Sequence, residues 1–413
     1  MTHHDEMDRR LSVRDAVVVG LASMIGAGVF AAVGPAAAAA GPWLLVGLVL
    51  AAAVAYANAT SSAQLAALYP ESGGTYVYAR ERLGEYWGFL AGWGFVVGKS
   101  ASLAAMALTF GAYVAPDLAR PIAIAAVIAL TTVNYRGVEK TARLSAILVT
   151  IVLVALAVVV AATLLGGQPS IHRFTADATV DVLGVLQSAG LLFFAFAGYA
   201  RIATLGEEVR DPAVTIPRAI PLALGVVVVV YALVMGSALL AVGSDRLAAA
   251  DAPLVAAVEA GQWTAAAPVV RSGAAVASAA VLLSLLAGVS RTMLSMARRH
   301  ELPGFLAAVH PVYRTPHSAE IAAATVVCAI LAVADLRGAI GFSSFAVLCY
   351  YGLANASAWT LAAGERRWPR ALSALGLVGC ALLAVTLPAD AVIGGVVLLV
   401  VGSVVWRASR RRQ

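Results

Sequence analysis

The sequence predicts an all-α membrane protein of about twelve transmembrane helices, and three observations lead there. The 413 residues are 61% hydrophobic and only 12% charged, with a mean hydropathy of +0.89. A soluble surface needs more polar side chains than that. Apolar windows of about 20 residues, long enough to cross a hydrocarbon core, recur along the whole chain. Two of these windows carry glycines at mid-span, where a continuous helix gains nothing from them.

The chain opens on a charged leader, residues 1–14 of "MTHHDEMDRRLSVRD", with no small-residue cleavage site after the apolar run that follows, so no signal peptide is expected. Spans are then expected at 15–36, 42–67, 85–114, 120–136, 142–166, 181–206, 217–243, 268–297, 317–335, 338–363, 369–387 and 389–407. With the N-terminus in the cytoplasm, 20 of the 28 Lys and Arg residues fall on the cytoplasmic side, five on the outer side (Arg120, Arg173, Arg246, Arg271, Arg337) and three inside spans (Lys99, Arg201, Arg291). That asymmetry follows the positive-inside rule, puts both termini in the cytoplasm and supports an even number of spans. The outer connection near 244–267 is expected to hold a short surface helix. The most polar cytoplasmic turn is 68–84.

The first span contains "ASMIGAGVF", with Gly26 and Gly28 near its middle; the sixth contains "FAFAGYA", with Gly198 at the same depth. Their starts are five spans apart, so the second unit enters the membrane from the opposite side. This is the spacing of a five-plus-five inverted repeat with a broken helix leading each half, residues 15–166 and 181–363, followed by two further helices at 369–407. Unwound backbone at mid-membrane survives only where it lines a polar cavity. Freed N–H groups at a helix start suit a carboxylate, and freed carbonyls suit an ammonium. Gly26, Gly28 and Gly198 are therefore expected in non-helical backbone around one cavity. Close helix packing through small residues is the alternative use of such glycines.

Lys99 lies near the middle of the third span, in "GFVVGKSASLAAM". An ionisable group there is costly unless it faces a cavity or a partner, so Lys99 is expected at the cavity. A lysine, unlike an arginine, can give up its proton in such a site, which makes it a candidate proton carrier. Its charge would disfavour a cationic substrate. The net charge of +6 does not indicate nucleic acid, since the basic residues punctuate apolar runs. Cys328, Cys349 and Cys380 are expected as buried hydrophobes, and no metal-ligand spacing is found. The nucleotide-binding GxxxxGK[ST] pattern is missing. No paired carboxylates or Ser/His set shares one depth, which argues against an intramembrane enzyme.

"GLASMIGAGVF", "PESGGTYVYARERLGEYWGFLAGW" (70–93), "FFAFAGYARIATLGEEVRDPAVTIPRAI", "SRTMLSMARRHELPGFLAAVHPVYRTP" (290–316) and "SFAVLCYYGLANASAWTL" (344–361) resemble the amino acid–polyamine–organocation superfamily of permeases over residues 10 to about 365. The resemblance implies a LeuT-like fold and secondary transport of amino acids or amines across a plasma membrane, with no cofactor. It implies backbone binding of the substrate carboxylate at Gly26, Ala27 and Gly28, and carbonyls around Ser23, Met24 and Ile25 facing the ammonium. In the sixth span it implies an unwound stretch Ala195, Phe196, Ala197 and Gly198, with Phe194 as a lid. Leu285 falls where an aromatic contacts long cationic substrates in some relatives. Two coupling positions depart from the family: Val152 stands where proton-coupled members often carry Lys, and Ala200 where others carry an acid. Arg201 is open between a role in the site and, with Glu207 or Glu208 as partner, one in the inner gate, and Arg291 is an inner-gate candidate. Proton-coupled import of a small neutral or aliphatic amino acid is the expected function, with an exchanger or exporter of amino acids or amines as the alternative. The amino acid, the bilayer and a proton are the expected partners.

Overall fold

The structure is a computed structural model, and it describes residues 11–69, 73–137, 142–175, 179–203, 205 and 208–410. Its helices in chain order are α1 (Val13–Met24), α2 (Ala27–Ala40), α3 (Leu44–Leu68), α4 (Thr75–Leu83), α5 (Glu85–Val114), α6 (Ala119–Tyr135), α7 (Ala142–Leu165) and α8 (His172–Thr175). They continue with α9 (Val182–Phe196), α10 (Ala200–Ala203), α11 (Pro212–Ala249), α12 (Pro253–Glu259), α13 (Ala267–Arg298), α14 (His317–Val333), α15 (Leu336–Trp359), α16 (Arg370–Thr386) and α17 (Ala389–Arg410). Helix occupies all twelve apolar windows. Among the described residues, nine stretches are long and apolar enough to cross a bilayer, one of them (27–68) covering both α2 and α3. The shorter apolar α14 and α16 fill windows nine and eleven. Large apolar side chains such as Val49, Val154, Val378 and Val404 lie exposed on the outside. Such a surface would aggregate in water and suits lipid.

Local chemistry sets the helix ends. A capping box starts α1: the Ser12 hydroxyl accepts from the Asp15 N–H (3.3 Å), and the Asp15 carboxylate accepts from the Ser12 N–H (2.9 Å). Asp335 caps α15 by accepting from the Gly338 N–H (2.8 Å). Pro212 and Pro253 stand at helix starts, where their missing N–H removes no bond.

The long α5 lies inside the bundle against α2, α6, α13 and α15. The α9 helix packs on α2 and α3, α11 packs on α1, α3 and α7, and α16 and α17 lean on α15 from outside. The connections differ from expectation in two places. The helix in the 244–267 connection is α12, and Leu254, Val255, Ala257 and Val258 are buried, so it plugs the bundle rather than lying on its surface. The polar 68–84 turn holds α4. The α4 helix is tied to the segment just after α13: Glu301 accepts from the Tyr76 hydroxyl (2.7 Å) and from Arg80 Nη1 (2.5 Å).

Candidate functional site

The first break is one dipeptide long. The α1 helix ends at Met24, Ile25 leaves helical geometry at φ −78°, ψ 58°, and Gly26 at φ −112°, ψ −146° precedes α2. No side chain caps α2. The first-turn N–H groups of a helix have no partner within it, so those of Ala27, Gly28 and Val29 stand open at the break. Gly28 itself is the second residue of α2, so non-helical backbone is found at Gly26 and not at Gly28. In the sixth window α9 ends at Phe196, and Ala197–Tyr199 form a 3-10 turn before the four-residue α10. Gly198 thus sits in a tightened turn rather than an extended one.

The two breaks touch. A Cβ on Gly28 would come 2.7 Å from Ala195 Cα, and one on Gly198 would fall on the Ser23 carbonyl and 2.8 Å from the Met24 nitrogen. Bare backbone meets bare backbone at both points, which only glycine allows. The packing use of these glycines is therefore real, and it is what brings the two interruptions together. Gly26 differs, because its added Cβ would meet the end of the Val281 side chain.

Two tyrosines satisfy carbonyls freed at the breaks. The Tyr231 hydroxyl on α11 lies 2.6 Å from the Met24 oxygen and 3.0 Å from the Ala195 oxygen. One hydroxyl proton is thus shared between a carbonyl of each interrupted helix. The Tyr351 hydroxyl on α15 donates to the Ala197 oxygen (2.9 Å). Phe196 packs on the Tyr231 ring at 5.2 Å between centroids, and Tyr199 stacks on Tyr351 at 4.9 Å. Neither tyrosine was singled out from the sequence. The available signal was a lone Tyr within "VVVVVYALVMG": a phenol in an apolar span needs an acceptor.

The face of α13 that meets Gly26 continues as an accessible stripe. Val281, Leu285 and Gly288 are partly exposed and Arg291 is exposed, all at helical spacing. A Cβ on Gly288 would meet nothing within 4 Å. The stripe thus runs from the first break, past Leu285, to Arg291. Arg201, on α10 beside the second break, is also exposed. Its Nη2 lies 3.9 Å from Glu208 Oε1, and its side chain is 45% exposed. Glu207 lies outside the described residues.

The remaining candidates are placed as follows. Met24, Ile25, Ala27, Phe194, Ala195, Phe196 and Ala197 are all buried about the two breaks. Lys99 is the middle residue of α5 and 9% exposed, and its ammonium has no hydrogen-bond or ion-pair partner among the described residues. Val152 is buried and apolar. Glu320, in the first turn of α14, was not anticipated; it is buried with Oε2 unpartnered.

A bundle of apolar helices with an outward lipid-like surface and backbone left open inside is a multi-pass membrane protein. Its sequence matches the amino acid permease family over residues 15–366, and the chain belongs to that family. It is 57% identical to an uncharacterised transporter of Mycobacterium tuberculosis over 98% of this chain and 92% of that one. It is 27% identical to a branched-chain amino acid permease of Bacillus subtilis (76% and 72% covered), and 26% identical to cationic amino acid transporter 7 of Arabidopsis thaliana (85% and 65% covered). Family and relatives are transporters, not enzymes.

Proposed function

We propose that this permease imports a small neutral or aliphatic amino acid across the plasma membrane by alternating access, driven by protons. The carrying observation is the contact of two helix interruptions, with open N–H groups at the start of α2 and carbonyls of both held by one tyrosine. The N–H groups of Ala27, Gly28 and Val29 take the substrate carboxylate, aided by the helix dipole. The carbonyls around Ser23, Met24 and Ile25 take the ammonium. Phe194 covers the substrate, and Leu285 lines its side-chain pocket. Lys99 bears the coupling proton. The accessible stripe of α13 lines a groove for the substrate, and Arg201 and Arg291 guard its inner end.

The twelve spans form a LeuT-like fold with repeats at 15–166 and 181–363, and two added helices at 369–407. Both termini are cytoplasmic, so the groove end at Arg201 and Arg291 opens inward. A branched-chain permease among the relatives supports an apolar side-chain pocket. A cationic transporter among them speaks the other way, but unpaired Lys99 repels a cationic side chain in a low-dielectric site.

A thermal-shift screen of the common amino acids on purified protein, followed by uptake into proteoliposomes, tests the reading. Stabilisation and uptake by aliphatic amino acids are expected; stabilisation by lysine or arginine alone overturns the substrate class. The missing family coupling groups at Val152 and Ala200 favour exchange as the second reading. Exchange is the outcome if labelled substrate enters only vesicles preloaded with unlabelled substrate and an imposed pH gradient changes nothing.

A further inference from the structure

Resting on the reading that the two interruptions form the substrate site, we infer that Asn355 is a positioning residue of that site, through which α16, one of the last two helices, fixes where Tyr351 holds the second interruption. A continuous chain of hydrogen bonds carries this. The Tyr351 hydroxyl donates to the Ala197 oxygen (2.9 Å), and its ring meets Phe193 at 5.8 Å and Tyr199 at 4.9 Å. One turn further along α15, Asn355 Nδ2 donates to the Tyr351 carbonyl (2.8 Å) and to Asn58 Oδ1 of α3 (2.6 Å). Asn58 Nδ2 in turn donates to Cys380 Sγ of α16 (3.2 Å). The path runs from α16 to a carbonyl at the break, and each side chain on it is buried.

Amides are not a neutral choice here. A buried amide in an apolar bundle costs free energy unless its polar atoms find partners. Apolar side chains would pack the same three helices without that demand. What hydrogen-bonded amides add is register, because an apolar contact tolerates sliding and a directional bond does not. Asn355 directs Nδ2 both along α15 and across to α3. Its Oδ1 is sealed without a partner and lies against Gly376 of α16, where an added Cβ would fall on it. Positions 376 and 380, one turn apart on α16, therefore both bear on the Asn58–Asn355 pair, one through a missing side chain and the other through its thiol. The rest of α16 is fixed to the same neighbours. Ser373 Oγ lies 3.0 Å from Ser61 Oγ of α3, and Gly379 packs on Val54. Leu383 and Leu387 close on Gly190 of α9, the first half of the second interrupted helix.

Asn355 acts on the site through Tyr351. With the amide in place, the register of α15 against α3 and α16 keeps the phenol at the Ala197 oxygen. Without it, α15 shifts more freely and that oxygen loses its donor for part of the time. The α16 helix thereby has a part in the site that its place near the end of the chain does not suggest.

The test is hydrogen exchange read by mass spectrometry on the full chain in lipid nanodiscs, without substrate. Tyr351→Phe should speed exchange over residues 197–203 about threefold, the effect of one hydrogen bond between membrane helices. Asn355→Ala should do the same. The double variant should exchange no faster than Tyr351→Phe alone, because the amide acts through the phenol. Gly376→Ala, which pushes on the Asn355 amide from α16, should match Asn355→Ala, and it takes that variant's place in the cycle if Asn355→Ala does not fold. Cys380→Ser keeps a donor and an acceptor for Asn58 and should exchange as the parent does, whereas Cys380→Val should be faster over 197–203. Faster exchange confined to α15 and α16, with 197–203 unchanged, overturns the inference. A double variant whose two effects add does so too, and so does equal exchange in Cys380→Ser and Cys380→Val. Exchange needs no substrate, so these outcomes stand apart from a failure of amino acid uptake, which overturns the transport reading instead.

Discussion

A single phenol holds the carbonyls of two broken helices, and that concentrates much of the site in Tyr231. Its hydroxyl is the donor for Met24 and Ala195 oxygens that have left their ladders. Tyr231→Phe keeps the ring contact with Phe196 and leaves both oxygens without that donor in the interior, which costs about 1–3 kcal/mol. The variant should still insert and purify, melt at a lower temperature, and show weaker stabilisation by substrate in the same thermal-shift measurement; unchanged melting and binding would mean that other donors serve those carbonyls. The glycines separate by what stands opposite them. Gly28 and Gly198 face backbone, so Ala at either position must push the two interrupted helices apart. Overpacking of this kind costs about 1–3 kcal/mol. Gly26 faces the tip of Val281, which can be cut back. Gly26→Ala should weaken binding and recover with Val281→Ala, whereas Gly28→Ala should not recover with any change at Val281. Equal rescue of both would show that Gly28 is not held by the Ala195 backbone.

At the scale of elements, the ends of the broken helices are tied to neighbours by short polar links. Leu11 donates to the Glu208 oxygen (3.0 Å) and accepts from the Arg210 N–H (2.9 Å), a two-bond parallel bridge between the start of α1 and the segment after α10. The halves of the two interrupted helices on that side are thereby joined, and they should move together. Leu11→Pro removes the donor N–H and constrains the chain. Hydrogen exchange at Val209 and Arg210 should then speed up while exchange in α3 and α5 stays as it was. No change at those two amides would show the bridge to be dispensable. The Glu301 link between α4 and α13 has a different consequence. Glu301 is a largely buried carboxylate holding both Tyr76 and Arg80, and hydrogen bonds to charged groups contribute about 1.5–3 kcal/mol each at most. Glu301→Ala should release α4 and lower the melting temperature without touching the substrate groove, so substrate affinity in the folded fraction should hold.

Across the whole molecule, what the sequence made legible divides along a physical line. Helix positions were readable because lipid contact demands long apolar runs, and α5 begins and ends at the expected residues 85 and 114. The two interruptions were readable because glycines recur at mid-span in both the first and the sixth apolar window. Partners across the bundle were not, since no local pattern says that the Tyr231 hydroxyl meets Met24 or that Gly28 meets Ala195. The helical state of Gly28 was missed for a related reason: a glycine needed for close approach and one needed for unwinding look alike in sequence. Lys99 was visible as an ionisable residue in an apolar run, and its burial without a counter-ion leaves its charge state free to respond to its surroundings. That freedom makes it the centre of the last prediction. Arginine cannot serve, because guanidinium stays protonated, so neither Arg201 nor Arg291 can carry the coupling proton. If Lys99 carries it, gaining and losing that charge biases the two access states by the few kcal/mol that alternating access needs. Lys99→Met keeps most of the stem and removes the charge. In proteoliposomes it should retain substrate exchange while failing to concentrate substrate when the outside is acidified. Accumulation by Lys99→Met under that gradient, at the rate of the parent protein, would remove Lys99 from the coupling mechanism.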